Sequence, residues 1–356
     1  MINKKALIAM SGGVDSAVAA LLIKNMGYQA EAITMQLFDG KKAVHDGIPE
    51  HLDDNSIQAK KTAELLNIPH ISVSLGESFS RCVISPFIED YKNGKTPNPC
   101  VQCNKHIKFG RLLDIAEEKS FDYLVTGHYA KIEQDNNGHF FLKKAADEKK
   151  DQTYFLWSLN QNTLSKVLFP LGDYTKEEIK SIARDNNFSS ADRSESQDIC
   201  FIPDGNYADF LRKSGHTDFS IGNFIDIYGN ILGRHAGLEN YTIGQRKGLG
   251  IALGKPMFVA KKDPSTNSVI LCTDLELYKK ELQATSVNLL INDTLEQPMR
   301  LSAKIRYRHT PAAATVIRTD TDRISITFDE PQRAITPGQS VVLYDGDIVV
   351  GGGIIE

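Results

Sequence analysis

The stretch Ala6-Leu7-Ile8-Ala9-Met10-Ser11-Gly12-Gly13-Val14-Asp15-Ser16 decides the fold. A short apolar run stops at Ser-Gly-Gly and helical periodicity starts at once, with Val14, Ala17, Val18, Leu21 and Leu22 at helical spacing. The order is therefore strand, tight turn, helix. Two glycines at the junction let the backbone approach a ligand closely and turn its amides inward. The helix start adds unpaired N–H groups and the positive end of the dipole, which suit phosphate. The Gly-Lys-Ser/Thr ending of the common nucleoside-triphosphate loop is missing. Asp15 and Ser16, in the first helical turn, are in reach of a metal-bound phosphate or its water. An ordinary glycine-containing turn with a serine cap is the plainer alternative.

At 356 residues the chain exceeds one typical core, so two or three domains are expected. Its 41% hydrophobic and 24% charged residues are ordinary for a soluble globular protein. There is no charged-then-apolar leader and no apolar run able to span a bilayer, so a cytoplasmic protein without membrane partners is expected. The five cysteines, Cys82, Cys100, Cys103, Cys200 and Cys272, are odd in number and point to reduced thiols doing chemistry. A net charge of −4 gives no global pull toward nucleic acid, so any RNA contact rests on local basic patches.

Residues 1 to about 130 alternate strand and helix signals, which implies a parallel sheet covered by helices. Strands are expected at Ala30–Leu37, Ile71–Leu75 and Tyr123–Thr126, and helices at Ile57–Asn67, Phe79–Tyr91 and Asn104–Lys119. Asp39–Asn55 is polar and reads as a loop over the nucleotide. Pro97 and Pro99 predict a stiff extended loop through Lys95–Lys105. Ligands of open parallel sheets bind beyond the carboxyl ends of strands. That brings Ser11–Ser16, Met35 and Gly127-His128 toward one crevice.

Further on, Lys131–Glu133 and His139–Lys143 flank a hairpin turn. A helix carrying Tyr154, Phe155 and Trp157 follows Lys149–Gln152, its rings serving the core. Thr175 and Glu178 read as a capping box, and Ser189–Gln197 as a polar turn. Residues 204 to about 275 are glycine-rich and mixed in pattern, with Arg246 and Lys247 in a loop suited equally to structure or to phosphate contact. From about 280 short alternating strands predict a small all-β barrel, including Leu301–Arg308. Asp345-Gly346 reads as a type I′ hairpin turn.

Cys100 and Cys103 form one C-x-x-C and Cys200 stands far along. Structural zinc needs four close ligands, which this pair and scattered histidines do not supply. A thioredoxin-type pair would not need the nucleotide turn. Sulfur transfer uses every feature. Adenylating a carbonyl oxygen makes AMP the leaving group, a persulfide on one cysteine supplies sulfur, and a second cysteine cleaves the S–S bond. Lys105 and His106 beside Cys103 are expected to favour its thiolate. Cys82 and Cys272 sit in apolar runs and read as packing residues.

SGGVDS resembles the loop of ATP pyrophosphatases. With TPNP-x-x-x-CNK, TGHYA, KDQTYFL, ICFI, TIGQRKGLGI, IRYR and GGGIIE, essentially the whole chain resembles the tRNA-specific 2-thiouridylases, tRNA-uridine 2-sulfurtransferases. The resemblance implies an α/β fold in three parts. These are a parallel-sheet ATP-pyrophosphatase (adenine nucleotide alpha hydrolase-like) domain over 1–203, a small α+β central domain over 204–277 and a C-terminal all-β barrel over 278–356. It implies ATP-dependent thiolation of the tRNA wobble uridine at C2, with Cys103 as nucleophile, Cys200 as persulfide carrier and a disulfide between them in the cycle.

Ala9, Met10, Ser11, Gly12, Gly13, Val14, Asp15, Ser16, Met35 and Gly127 would line the ATP site, with magnesium near Asp15. Asn98, Pro99 and Cys100 would face the target base. His128, Lys150, Asp151, Gln152, Arg306, Tyr307 and Gln339 would contact tRNA. Implied partners are a tRNA with a wobble uridine and a persulfide donor, either a cysteine desulfurase or a relay protein, and the family suggests a monomer. Lys92, Lys95, Lys105, Lys108 and Arg111 flank the cysteine loop without an intervening acid, the basicity an RNA backbone needs. On a strand, Arg306 and Arg308 would share a face and Tyr307 the other. Cys100 stands where many members have Asp. With Cys103 and Cys200 it offers the option of an iron–sulfur cluster. The alternatives are another adenylating ligase of this fold and a non-catalytic ATP- and tRNA-binding module.

Overall fold

The computed structural model describes residues 4–38, 52–191, 199–214, 220–291 and 295–356. Most of the proposed nucleotide-covering loop, 39–51, and most of the polar turn before Cys200, 192–198, lie outside the described residues. The chain divides into two compact units: residues 1–83, 100–203 and 347–349 in one, and 84–99, 204–346 and 350–356 in the other. Among the described residues no helix is long and apolar enough to cross a membrane.

In the first unit, β1 (Lys5–Ala9) leads through the Ser-Gly-Gly turn into helix α1 (Val14–Asn25), β2 (Gln29–Gln36), the helix Leu52–Leu65 and β3 (His70–Ser74). After β4 (Tyr123–Val125) come the hairpin β5 (Lys131–Gln134) and β6 (Phe140–Lys143), and then the short β7 (Val167–Leu168). The sheet order is β3-β2-β1-β4-β7 with parallel pairings. Ala6, Leu7 and Ile8 are fully buried, as a central parallel strand covered on both faces must be. The buried Ala17, Ala19 and Ala20 of α1 belong to the same core as β1.

Two expected helices are broken in register. The first is a helix Gly76–Phe79, a π-helix Ser80–Ile84 and a helix Ser85–Lys92. The second is a π-helix Cys103–Arg111 continued by Leu112–Glu118. The extended loop expected through Lys95–Lys105 ends early, because a helical turn already runs over Pro99–Gln102. Proline is tolerated in the first helical turn, where its missing N–H has no partner to lose. The aromatic helix is only a 3₁₀ turn, Thr153–Phe155, although Tyr154 and Trp157 are buried as expected.

The second unit contains two sheets. β8 (Gly222–Asp226), β9 (Ile231–His235), β10 (Phe258–Asp263) and β11 (Ser268–Cys272) form one, in the order β10-β11-β8-β9. Phe224, Val259, Val269 and Leu271 fill its core. The other is a six-stranded barrel of β12 (Tyr278–Leu289), β13 (Met299–Lys304), β14 (Ala312–Asp320), β15 (Arg323–Arg333), β16 (Ser340–Asp345) and β17 (Ile348–Ile355), closed by β12 on β17. Its core is mostly aliphatic, with Phe328 among its buried members. β13 ends at Lys304, so Arg306–Arg308 occupy a turn and the expected strand alternation there does not apply. In the β16–β17 turn positive φ falls on Gly346 and not on Asp347, the type II′ pattern instead of I′.

Candidate nucleotide and thiol site

Gly12 takes φ +77°, a left-handed conformation glycine adopts without strain. A Cβ there would strike the backbone carbonyl of Asn55 at the start of the helix Leu52–Leu65. Gly13 is the N-cap of α1 with extended backbone and no side-chain cap. Ser16 Oγ closes the turn instead, donating to the Gly13 carbonyl at 3.0 Å and accepting from the Ser11 amide at 3.2 Å. Ser11 is exposed, Gly13 half-buried, and Met10, Gly12, Val14 and Ser16 are buried. Half-buried Ala9 ends β1, and half-buried Met35 lies in the paired β2. Gly127 lies against the same turn, since a Cβ on it would come within 2.9 Å of the Asp15 carbonyl carbon.

Asp15 does not face solvent unaided. The Lys176 ammonium donates to its Oδ1 at 2.7 Å and its Oδ2 at 2.9 Å, and the Tyr129 hydroxyl donates to Oδ1 at 2.7 Å. Lys176 is only 4% exposed. An unpaired ammonium buried so would cost several kcal/mol. It opens the helix Lys176–Asp185, whose capping box of Thr175 and Glu178 forms as expected. Neither Lys176 nor Tyr129 stood out in the sequence as a partner for the turn.

Three thiols of the first unit, Cys100, Cys103 and Cys200, fall in one neighbourhood. Cys103 is buried at the head of its π-helix, whereas Cys100 and Cys200 are exposed. Burial pushes the Cys103 thiol up, and the Lys108 ammonium offsets this only in part. Cys200 keeps open outer surface, yet the protein around its sulfur strips enough hydration to push the thiol up to about 12. Charge on Cys103 and then on Cys100 adds to the rise, and Lys108 opposes it. Cys200 thus lies within electrostatic reach of both other thiols. The expected thiolate-favouring role of Lys105 and His106 does not appear, because both are exposed and the cation acting on Cys103 is Lys108.

His128 is buried, and burial followed by Lys108 holds its imidazole well below the usual range. Neutral, its Nε2 accepts from Lys108 at 3.3 Å, so Nδ1 carries the proton and donates to Thr126 Oγ1 at 2.6 Å. Asp151 is buried, accepting from the Ala145 amide and the Thr153 hydroxyl. Gln152 bonds the Tyr129 backbone at both its amide and its side chain, and Lys150 is half-buried beside them. Of the expected basic flank, Lys108 points to His128 and Arg111 pairs with Glu118 at 3.0 Å.

In the second unit, Asn98 is half-buried and Pro99 buried. The loop before them is tied at three points. Thr96 N donates to the Pro337 carbonyl at 2.9 Å, Gln339 Nε2 to the Thr96 carbonyl at 2.7 Å, and Lys262 Nζ to the Lys95 carbonyl at 3.3 Å. Arg306 donates to the Arg333 carbonyl at 2.8 Å, and the Lys304 amine lies 5.6 Å over the Tyr307 ring.

A parallel-sheet domain with a glycine-rich strand-to-helix turn, followed along the chain by a small sheet and a closed barrel, defines a class of three-part α/β proteins. The pattern described as "tRNA methyl transferase HUP domain" matches residues 4–204. "tRNA methyl transferase PRC-barrel domain" matches 208–273, and "Aminomethyltransferase beta-barrel domain" matches 279–355. A protein of Clostridioides difficile (strain 630) named tRNA-specific 2-thiouridylase MnmA is 49% identical over 357 residues, covering 100% of this chain and 99% of that protein. One of the same name from Carboxydothermus hydrogenoformans is 45% identical, covering 99% of this chain and 98% of that protein. The chain belongs to the tRNA-specific 2-thiouridylase family.

Proposed function

We propose that this enzyme thiolates the wobble uridine of tRNA at C2, and that it does so by adenylation and persulfide transfer. ATP, with the magnesium it carries as substrate, lies on Ser11–Ser16. The uridine O2 attacks the α-phosphate and pyrophosphate leaves. The terminal sulfur of a Cys200 persulfide then attacks C2 and AMP departs. Cys103, as thiolate, attacks the Cys200 sulfur and breaks the S–S bond to the base. This leaves 2-thiouridine and a Cys103–Cys200 disulfide, which a dithiol reductant reopens. The sulfur reaches Cys200 from a cysteine desulfurase or relay protein. The observation that carries this mechanism is the coupling of Cys200 to Cys103 within one unit.

Among the described residues no group of three or more His, Cys, Asp or Glu side chains gathers as a metal site. Cys100, Cys103 and Cys200 do not form such a group as placed, so no step runs through an iron–sulfur cluster.

In a reaction containing tRNA, ATP and a persulfide donor, Cys200→Ser retains tRNA-dependent pyrophosphate release and loses 2-thiouridine. Thiolation by that variant overturns the carrier role, and loss of pyrophosphate release overturns the order of steps.

A further inference from the structure

Three segments distant in sequence meet at one carboxylate: Asp15 from the turn, Tyr129 from beyond β4, and Lys176 from a helix 161 positions away. Lys176 occupies the first position of its helix, where a cation opposes the helix dipole, and its amine is withdrawn from water. Both costs are offset at Asp15. The Lys176 amine also lies 5.6 Å from the centre of the Tyr129 ring, so the three groups form one packed network. Asp15 Oδ1 takes two donors and Oδ2 one, which leaves acceptor capacity on a side chain 34% exposed.

We propose that Lys176, seconded by Tyr129, is a positioning residue for the nucleotide site. It holds Asp15 in one rotamer, so that magnesium-bound ATP meets a preset side chain. The lysine acts through Asp15, and its effect belongs to adenylation and not to sulfur handling. This rests on the adenylation step proposed above.

The full-length chain is assayed for tRNA-dependent pyrophosphate release against magnesium concentration, and separately for persulfide loading of Cys200 without nucleotide. Lys176→Met is expected to slow pyrophosphate release about 100-fold and to raise the magnesium needed for half-maximal rate about tenfold. Lys176→Arg is expected to recover to within about tenfold of the natural rate, since it keeps the charge. Persulfide loading stays unchanged in both and reports that the unit is folded. If Lys176→Met fails to load, Tyr129→Phe replaces it, with an expected slowing of about three- to tenfold and the same rise in magnesium requirement. A folded variant with natural rate and magnesium requirement overturns the proposal. Absence of tRNA-dependent pyrophosphate from the unaltered enzyme overturns adenylation itself, and the proposal with it.

Discussion

At the residue scale, Cys103 shows how two opposed effects are weighed. A cation near a thiol favours thiolate, but only against whatever burial has already cost the charge. Here burial is the larger effect at both Cys103 and Cys200, and Lys108 is the counterweight common to the two. At rest the pair is therefore protonated and slow to oxidise, which suits thiols that must await a substrate. Lys108→Met removes the counterweight and should slow alkylation of Cys103 and Cys200 by iodoacetamide about three- to tenfold at pH 8. The check is peptide mass spectrometry after timed quenching, and unchanged alkylation would show that Lys108 does not act on the thiols. In the sequence Lys108 looked like one more RNA-facing cation, because nothing local tells a solvent-facing lysine from one turned toward a buried histidine.

At the element scale, the loop at 95–98 is held by residues from β10 and from just before β16. Lys262 is 5% exposed, and burial lowers its amine to about 8 while Glu239 opposes the shift. A depressed lysine favours the neutral amine in the folded state. Between about pH 8 and 10.5 the unfolded chain binds more protons, so stability rises with pH across that window and is lost as pH falls through it. Lys262→Met should flatten this slope in urea unfolding followed from pH 7 to 11; an unchanged slope would assign it to another group.

The same elements show what could be read in advance. The turn at Ser11–Ser16 was legible because its signals, two glycines and a switch of period, lie within a dozen residues. The capping box at Thr175 and Glu178 was legible for the same reason. The π-helix at Cys103 was not, since an extra residue per turn leaves apolar spacing close to helical. The strand expected through Arg308 failed because alternation continues past the last ladder bond of β13.

At the scale of the whole molecule, Cys100, Cys103, Cys200 and the Ser11–Ser16 turn belong to one compact unit, while Arg306, Tyr307 and Gln339 belong to the other. The parallel sheet and the barrel were legible from alternating periodicities alone. The meeting of Asp15 with Lys176 was not, because a pair separated by 161 positions leaves no local trace. Cys103 and Cys200 are likewise not joined by composition or spacing; the family resemblance pairs them, and in the structure charge on Cys103 reaches the Cys200 thiol. Their partnership in moving one sulfur atom is the central claim. It is tested most directly by a single turnover of the Cys200-persulfide enzyme with tRNA and ATP, without reductant, quenched with an alkylating agent and analysed by non-reducing peptide mass spectrometry. A Cys103–Cys200 disulfide should appear in equal amount with 2-thiouridine; 2-thiouridine formed while both cysteines remain alkylatable would contradict it.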